Sequence, residues 1–134
     1  MTKMQRRLQI ASDPKNLRLV ENLIEELSAK HRIEDEVYGK ILVATIEAVN
    51  NAIIHGNKSD SNKKVDINLE LDDEQVKVKV RDEGEGFDHE NVPDPTAPEN
   101  IENIHGRGVF LMKRLSDEIH FNDKGTSVEM TFKL

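Results

Sequence analysis

Cysteine and tryptophan are absent from the 134 residues, and one tyrosine and four phenylalanines are the only other aromatics. Without thiols the chain can form neither disulfides nor thiolate metal sites, and a reducing cytoplasm is the expected setting. No run approaches the ~20 apolar residues of a bilayer span. The N-terminal MTKMQRRLQIASD is basic but lacks the apolar stretch of a secretory signal, so no membrane association is expected. An excess of positive charge is missing as well: Lys and Arg total 19 against 26 Asp and Glu, a formal charge of -7. Such a field repels phosphate backbones, and nucleic acid is not an expected partner. Any phosphate must then be held locally, by backbone N–H groups or a metal ion. There is no Gly-Lys-Ser/Thr of a Walker loop and no Rossmann fingerprint after a first strand. Internal repeats and low-complexity tracts are lacking too.

What is present fits one domain over residues 1–134, with 36% hydrophobic and 34% charged residues. Leu8 to Ala11 reads as a short strand. Asp13-Pro14 supplies an N-cap and a first-turn proline, and Leu17, Val20, Leu23, Ile24 and Leu27 recur at helical spacing, which predicts a helix over 14–30. A second helix is predicted from Glu34 to Ile54 or His55, with Val37, Ile41, Leu42, Thr45, Ile46, Val49 and Ile53 as its core stripe; Gly56 with Asn57 supplies the stop. The period then falls to two. Val65, Ile67, Leu69 and Leu71, then Val76, Val78 and Val80 across Asp72-Asp73-Glu74, read as a β-hairpin with one buried face. A loop over 84–105, carrying Pro93, Pro95 and Pro98, precedes a predicted helix over 107–116. Two closing strands follow, one over 118–122 and one in which Val128, Met130, Phe132 and Leu134 alternate. The order predicts an α+β two-layer sandwich, its helices packed on one face of a mixed, mainly antiparallel sheet.

Parity carries the chemistry. Asp82 shares the phase of Val76, Val78 and Val80, so its carboxylate is expected on the buried face. Thr126 shares that of Val128, Met130 and Phe132. On the second helix Val43, Glu47, Asn51 and His55 form an i, i+4 row beside the apolar stripe. Each residue has a plainer reading: Glu47 as a solvated carboxylate, Asn51 as helix surface, His55 as a dipole partner, Asp82 as the start of a turn. Their convergence on one helix–sheet crevice favours function, because a buried carboxylate without a partner costs several kcal/mol. The glycines fall in matching places. Gly84 and Gly86 follow a strand, Gly106 and Gly108 open a helix whose first N–H groups can meet phosphate, and Gly125 precedes Thr126.

Together these residues resemble the boxes of the GHKL ATPases, the superfamily of gyrase, MutL and histidine kinases. Glu47-Ala-Val-Asn-Asn51 is similar to the N box, Asp82-x-Gly84-x-Gly86-Phe87 to the first glycine box, and Gly106-x-Gly108 and Gly125-Thr126 to the second and third. The Glu-x-x-x-Asn form and the trailing His55-Gly56 resemble the bacterial anti-sigma factor serine kinases in particular. The resemblance implies the GHKL (Bergerat) ATP-binding fold, ATP and Mg²⁺ as ligands, and a lid over residues 88–105. It implies that Asp82 accepts a hydrogen bond from the adenine amino group, with Thr126 supporting that edge. It implies Asn51 as the Mg²⁺ ligand, Glu47 as general base, and Gly106, Arg107 and Gly108 as the phosphate cradle. His55, Gly84, Gly86, Val109 and Phe110 complete the expected nucleotide contacts. The implied activity is serine/threonine protein kinase and anti-sigma factor, with a sigma factor and a STAS-type anti-anti-sigma protein as partners and a homodimer as the assembly. The competing reading is a nucleotide-gated binding module without phosphotransfer. The sequence departs from the pattern in the Arg and Phe of Gly-Arg-Gly-Val-Phe and in a Pro- and Asn-rich lid.

Overall fold

In the computed structural model, residues 4–85, 104–122 and 124–134 are described, with the backbone alone for 104–107. Alternation of β-branched and charged residues produces the sheet. Strands β1 (Met4–Ala11), β2 (Lys64–Leu71), β3 (Gln75–Arg81), β4 (Glu118–Phe121) and β5 (Ser127–Lys133) lie in the order β1-β2-β3-β5-β4. Every pairing among the described residues is antiparallel. The register sets Ile67 opposite Val80 and Val80 opposite Val128, so apolar residues share one face while Asp66, Asn68, Lys77 and Lys79 share the other. On the inner face Ile67, Leu69, Val78 and Met130 are fully buried, each contributing roughly 1.5–3 kcal/mol relative to exposure.

Three helices cover that face: α1 (Leu17–His31), α2 (Asp35–Asn51) and α3 (Ile104–Leu115). The predicted first helix divides. Asp13 caps through a hydrogen bond from the Lys15 N–H, and a 3₁₀ turn, Pro14–Asn16, closes by Leu17 N–H donating to the Pro14 carbonyl before α1 begins. Such i→i+3 turns are frequent at α-helix starts. α1 ends on Arg32, whose φ of 52° is left-handed.

α2 buries Ile41, Thr45, Val49 and Ile53 of the expected stripe, but its buried face extends to the alanine side. Ala44 and Ala48 are buried with Ile41, Thr45 and Val49, and Ala52 follows them, whereas Val37, Leu42 and Ile46 are only partly covered. The alanine row, at i, i+4 spacing, has no side-chain bulk to hold α3 away, and α3 packs along α2. With its continuation, α2 forms a 22-residue helix, Asp35–Gly56, long and apolar enough by length and composition to cross a membrane. That amends the expectation that no run suffices; here the helix is a core element packed on the sheet beside α1 and α3. Its last turn, Ala52–Gly56, is π-helical and closes by Asn57 N–H donating to the Ala52 carbonyl at 2.8 Å. The extra residue per turn re-aims the chain where α2 meets the end of β3, and π-bulges recur at functional sites.

Candidate functional site

At Arg81 strand β3 stops, but its parity carries one residue further. Asp82 N–H donates to the Thr126 carbonyl at 2.9 Å, and the half-buried carboxylate faces the helices. Desolvation raises its pKa above the ordinary carboxylate value, opposed by the Gly84 N–H that donates to its Oδ1 at 2.8 Å and by the charge of Lys63. Two glycines make room for this turn. A methyl group on Gly56 would collide with the Asp82 carboxylate, and one on Gly84 with the carbonyl oxygen of Gly56. The π-turn and the Asp82–Gly84 segment therefore touch backbone to backbone.

Helix α2 brings its polar row to the same place. Asn51 and His55 line a crevice with Asp82, although His55 keeps much of its surface in solvent. Partial burial lowers the His55 pKa, so the neutral imidazole prevails at neutral pH. The Asn51 Nδ2 is buried and has no hydrogen-bond partner among the described residues. Glu47, one turn earlier, does not line this crevice. It meets Asn51 at α3: a methyl on Gly108 would lie 3.1 Å from the Glu47 Oε2 and 3.0 and 3.2 Å from the Asn51 amide nitrogen and oxygen.

The third wall is the turn between β4 and β5. Gly125 takes a left-handed φ of 74°, a conformation that glycine adopts without strain. Asn122 then clamps the turn from both ends, accepting from Thr126 N–H at 2.8 Å and donating through Nδ2 to the Thr126 hydroxyl oxygen at 2.7 Å. The hydroxyl hydrogen is left to point elsewhere. Asn122 is a residue that the sequence reading missed; an Asn at a strand end three residues before Gly was the signal.

The crevice so formed has a cavity volume of about 40 Å³ and opens to solvent. Ala48, Ala52, Val80, Met112 and Val128 make its walls apolar, and Asn51, His55, Asp82, Thr126 and Ser127 are its polar points. Apolar walls with a few placed hydrogen-bonding groups suit a flat heterocycle.

Other expected site residues are placed differently. Gly86 and lid residues 88–103 lie outside the described residues, whereas 104 and 105 already belong to α3, not to a loop. Because α3 begins at Ile104, three residues before the predicted start, Gly106 and Gly108 are its third and fifth residues. The N–H of Gly106 is among those a helix leaves unbonded, while those of Arg107 and Gly108 fall past them. What the structure shows for Gly108 is close packing on α2. Of the Arg107 side chain nothing is described. The Val109 side chain is 1% exposed and packs in the core, because on α3 it shares a face with Met112, three residues on. Phe110 is partly buried.

The profile of the histidine kinase-like ATPase domain family matches residues 10–132. The chain is 32% identical over 97 residues to the serine-protein kinase RsbW of Staphylococcus aureus strains JH9 and Newman, covering 66% of this chain and 61% of each relative. It thus spans about three fifths of the length of those curated relatives. The structure of the RsbU and RsbW domains of Rv1364c from Mycobacterium tuberculosis superposes with a TM-score of 0.63 at 19% identity, over 98% of this chain and 32% of that one. At that identity the likeness bears on the fold alone.

Proposed function

Because this chain belongs to the histidine kinase-like ATPase domain family, we propose that it is an ATP-binding serine/threonine protein kinase that acts as an anti-sigma factor. The observation that carries the reading is the meeting of Asn51, Asp82 and Thr126, from three separate elements, in one apolar crevice. Adenine stacks between Ala48, Ala52, Met112 and Val128, its 6-amino group donating to the Asp82 carboxylate. The Thr126 hydroxyl, oriented by Asn122, addresses the same edge.

Mg²⁺ suits the donor set. The Asn51 amide oxygen, the atom able to ligate a hard cation, stands with the Glu47 carboxylate at Gly108, while its buried Nδ2 can only donate a hydrogen bond. No group of three His, Asp or Glu that could cage a metal occurs among the described residues. That is the pattern expected of a hard cation carried largely by water and substrate phosphates, with Asn51 as the protein ligand. When bound, the ion supplies charge neutralisation at the phosphate oxygens. Glu47 accepts the proton of an incoming serine hydroxyl as its oxygen attacks the γ-phosphorus and ADP leaves. The free N–H groups at the start of α3, Gly106 among them, face the phosphates. The protein substrate is an anti-anti-sigma protein of the STAS type, the sequestered partner is a sigma factor, and the setting is the cytoplasm, with the chain working as a homodimer.

Titration calorimetry with Mg·ATP, and transfer of labelled γ-phosphate to anti-anti-sigma proteins of the same genome, test this. Glu47→Gln is expected to keep ATP affinity and to lose transfer by roughly 10²–10⁴-fold. Transfer at the unaltered rate would remove Glu47 as the base. Failure of the unaltered chain to bind ATP would remove the nucleotide reading entirely.

A further inference from the structure

Behind the crevice, and not lining it, Asn57 is fully buried and uses its whole side chain. Its Nδ2 donates to the Ser12 hydroxyl oxygen at 2.8 Å and to the Lys64 carbonyl at 3.0 Å. Its Oδ1 accepts from the Glu83 N–H at 2.8 Å. Ser12, 1% exposed, donates in turn to the Lys63 carbonyl at 2.8 Å. One amide therefore ties together the end of β1, the start of β2, the π-turn and the residue after Asp82.

Three hydrogen bonds hold the Asp82–Gly84 turn among the described residues. Asp82 N–H to Thr126 fixes it to β5. Gly84 N–H to the Asp82 carboxylate is internal and moves with the turn. Glu83 N–H to Asn57 is the one that fixes it to the helix layer. Without that bond only van der Waals contact with Gly56 links the turn to the helix layer among the described residues, and the carboxylate that packs on Gly56 loses its fixed aim.

We infer that Asn57 is the positioning residue that aims Asp82 at the base of the bound nucleotide, and so sets base selectivity without touching the ligand. The inference rests on the nucleotide reading above. A wholly buried and satisfied network rigidifies what it joins, and removing one member orphans the others.

The readout is preference for ATP over inosine triphosphate, in which a 6-oxo group replaces the 6-amino donor and faces the carboxylate unfavourably. Titration calorimetry on the full chain is expected to show Asn57→Ala lowering that preference by about tenfold, with the loss falling on ATP and inosine triphosphate affinity within about twofold of the unaltered chain. Asn57→Asp keeps the acceptor for Glu83 N–H but cannot donate to Lys64; it is expected to melt earlier yet keep the preference within about twofold. A residue that only stabilised the fold would move melting and leave the preference where it was. An Asn57→Ala chain that folds, by circular dichroism, with its preference intact overturns the inference, as does an Asn57→Asp chain that loses preference as fully as Asn57→Ala. If Asn57→Ala does not fold, Ser12→Ala takes its place: loosening the far end of the clamp is expected to cost about two- to threefold in preference, and no change would overturn the inference. An unaltered chain that binds neither nucleotide removes the nucleotide reading itself, a result distinct from binding with an unmoved preference.

Discussion

Two aspartates bracket strand β3, and the chain treats them oppositely. Asp72, at the hairpin end, lies at the surface with Oδ1 accepting from the Glu74 N–H at 2.8 Å and the Gln75 N–H at 2.9 Å. Those bonds hold its pKa below the ordinary value of 3.8. Asp82, at the crevice end, is half-buried with one donor among the described residues, the Gly84 N–H, and desolvation drives its pKa up. The first carboxylate is stabilised by the turn it makes. The second is desolvated at a cost to its charged form, with acceptor capacity unspent among the described residues and an apolar crevice in front of it. Groups perturbed in that way concentrate where ligands bind. The same strand thus ends once in structure and once in a site.

The largest effect that would separate the two ends is expected from Gly84→Ala. Its methyl meets backbone, the Gly56 carbonyl, which no side-chain rotation can clear. Overpacking of this kind costs about 1–3 kcal/mol, and displacement of Asp82 is expected to weaken ATP binding by about tenfold or more. Gly56→Ala presses on the Asp82 carboxylate itself and belongs to the same class. In the opposite turn, Glu74→Ala alters an exposed side chain and is expected to stay within about 0.5 kcal/mol. Denaturant unfolding and calorimetry on both variants check this; equal costs at the two turns would erase the distinction.

Charge sharpens the comparison next. Asp82→Asn turns an acceptor into a group whose NH₂ opposes the adenine amino group, expected to cost about 1–3 kcal/mol of ATP affinity, while thermal stability holds or rises because the desolvated charge is gone. Asp72→Ala is expected to do the reverse, lowering the melting temperature and leaving ATP affinity unmoved. The pH dependences follow with opposite sign. A raised folded-state pKa means the native state binds the proton more tightly, so Asp82 subtracts stability as pH climbs from 3.8 through its raised value. A lowered one means that Asp72 adds stability above 3.8 that is lost as pH falls through its depressed value. Relative to the unaltered chain, Asp82→Asn should therefore gain stability with rising pH, and Asp72→Ala should lose it. Parallel curves for the two variants would dissolve the contrast.

Period-two alternation makes the hairpin, the closing strand and the inward phase of Asp82 legible in the sequence, because a strand with one buried face has no other register to adopt. The helix α2 stripe is met at Ile41, Thr45, Val49 and Ile53 but not fully at Val37, Leu42 and Ile46, because depth there follows room, not hydrophobicity: Ala44 and Ala48 lie deeper than Leu42 and Ile46. The π-turn Ala52–Gly56 has no periodic signature. Asn57 was legible only as a helix stop, since its clamp reaches Ser12, 45 residues back, and Glu83, 26 residues on. Short polar side chains that satisfy one another over such separations leave no trace at the level of spacing.

The smallest expected effect sits on the same helix as Gly56 but at its other end. Gly39 is the fifth residue of α2, near Val37, which lines a groove with Leu71 and Asp72 at the hairpin end. Nothing lies within 4 Å of where a methyl group would stand on Gly39. Glycine there only adds freedom to the unfolded chain and withholds helix propensity. Gly39→Ala is accordingly expected to stabilise the protein by about 0.5–1 kcal/mol, and ATP affinity, set at the far end of the helix, should not change. Thermal melting and calorimetry decide it. A destabilised Gly39→Ala chain would show that α2 tolerates no added bulk anywhere, and the collision at Gly56 would then say nothing particular about the site; a stabilised one confines glycine's necessity to the end of the helix that faces Asp82.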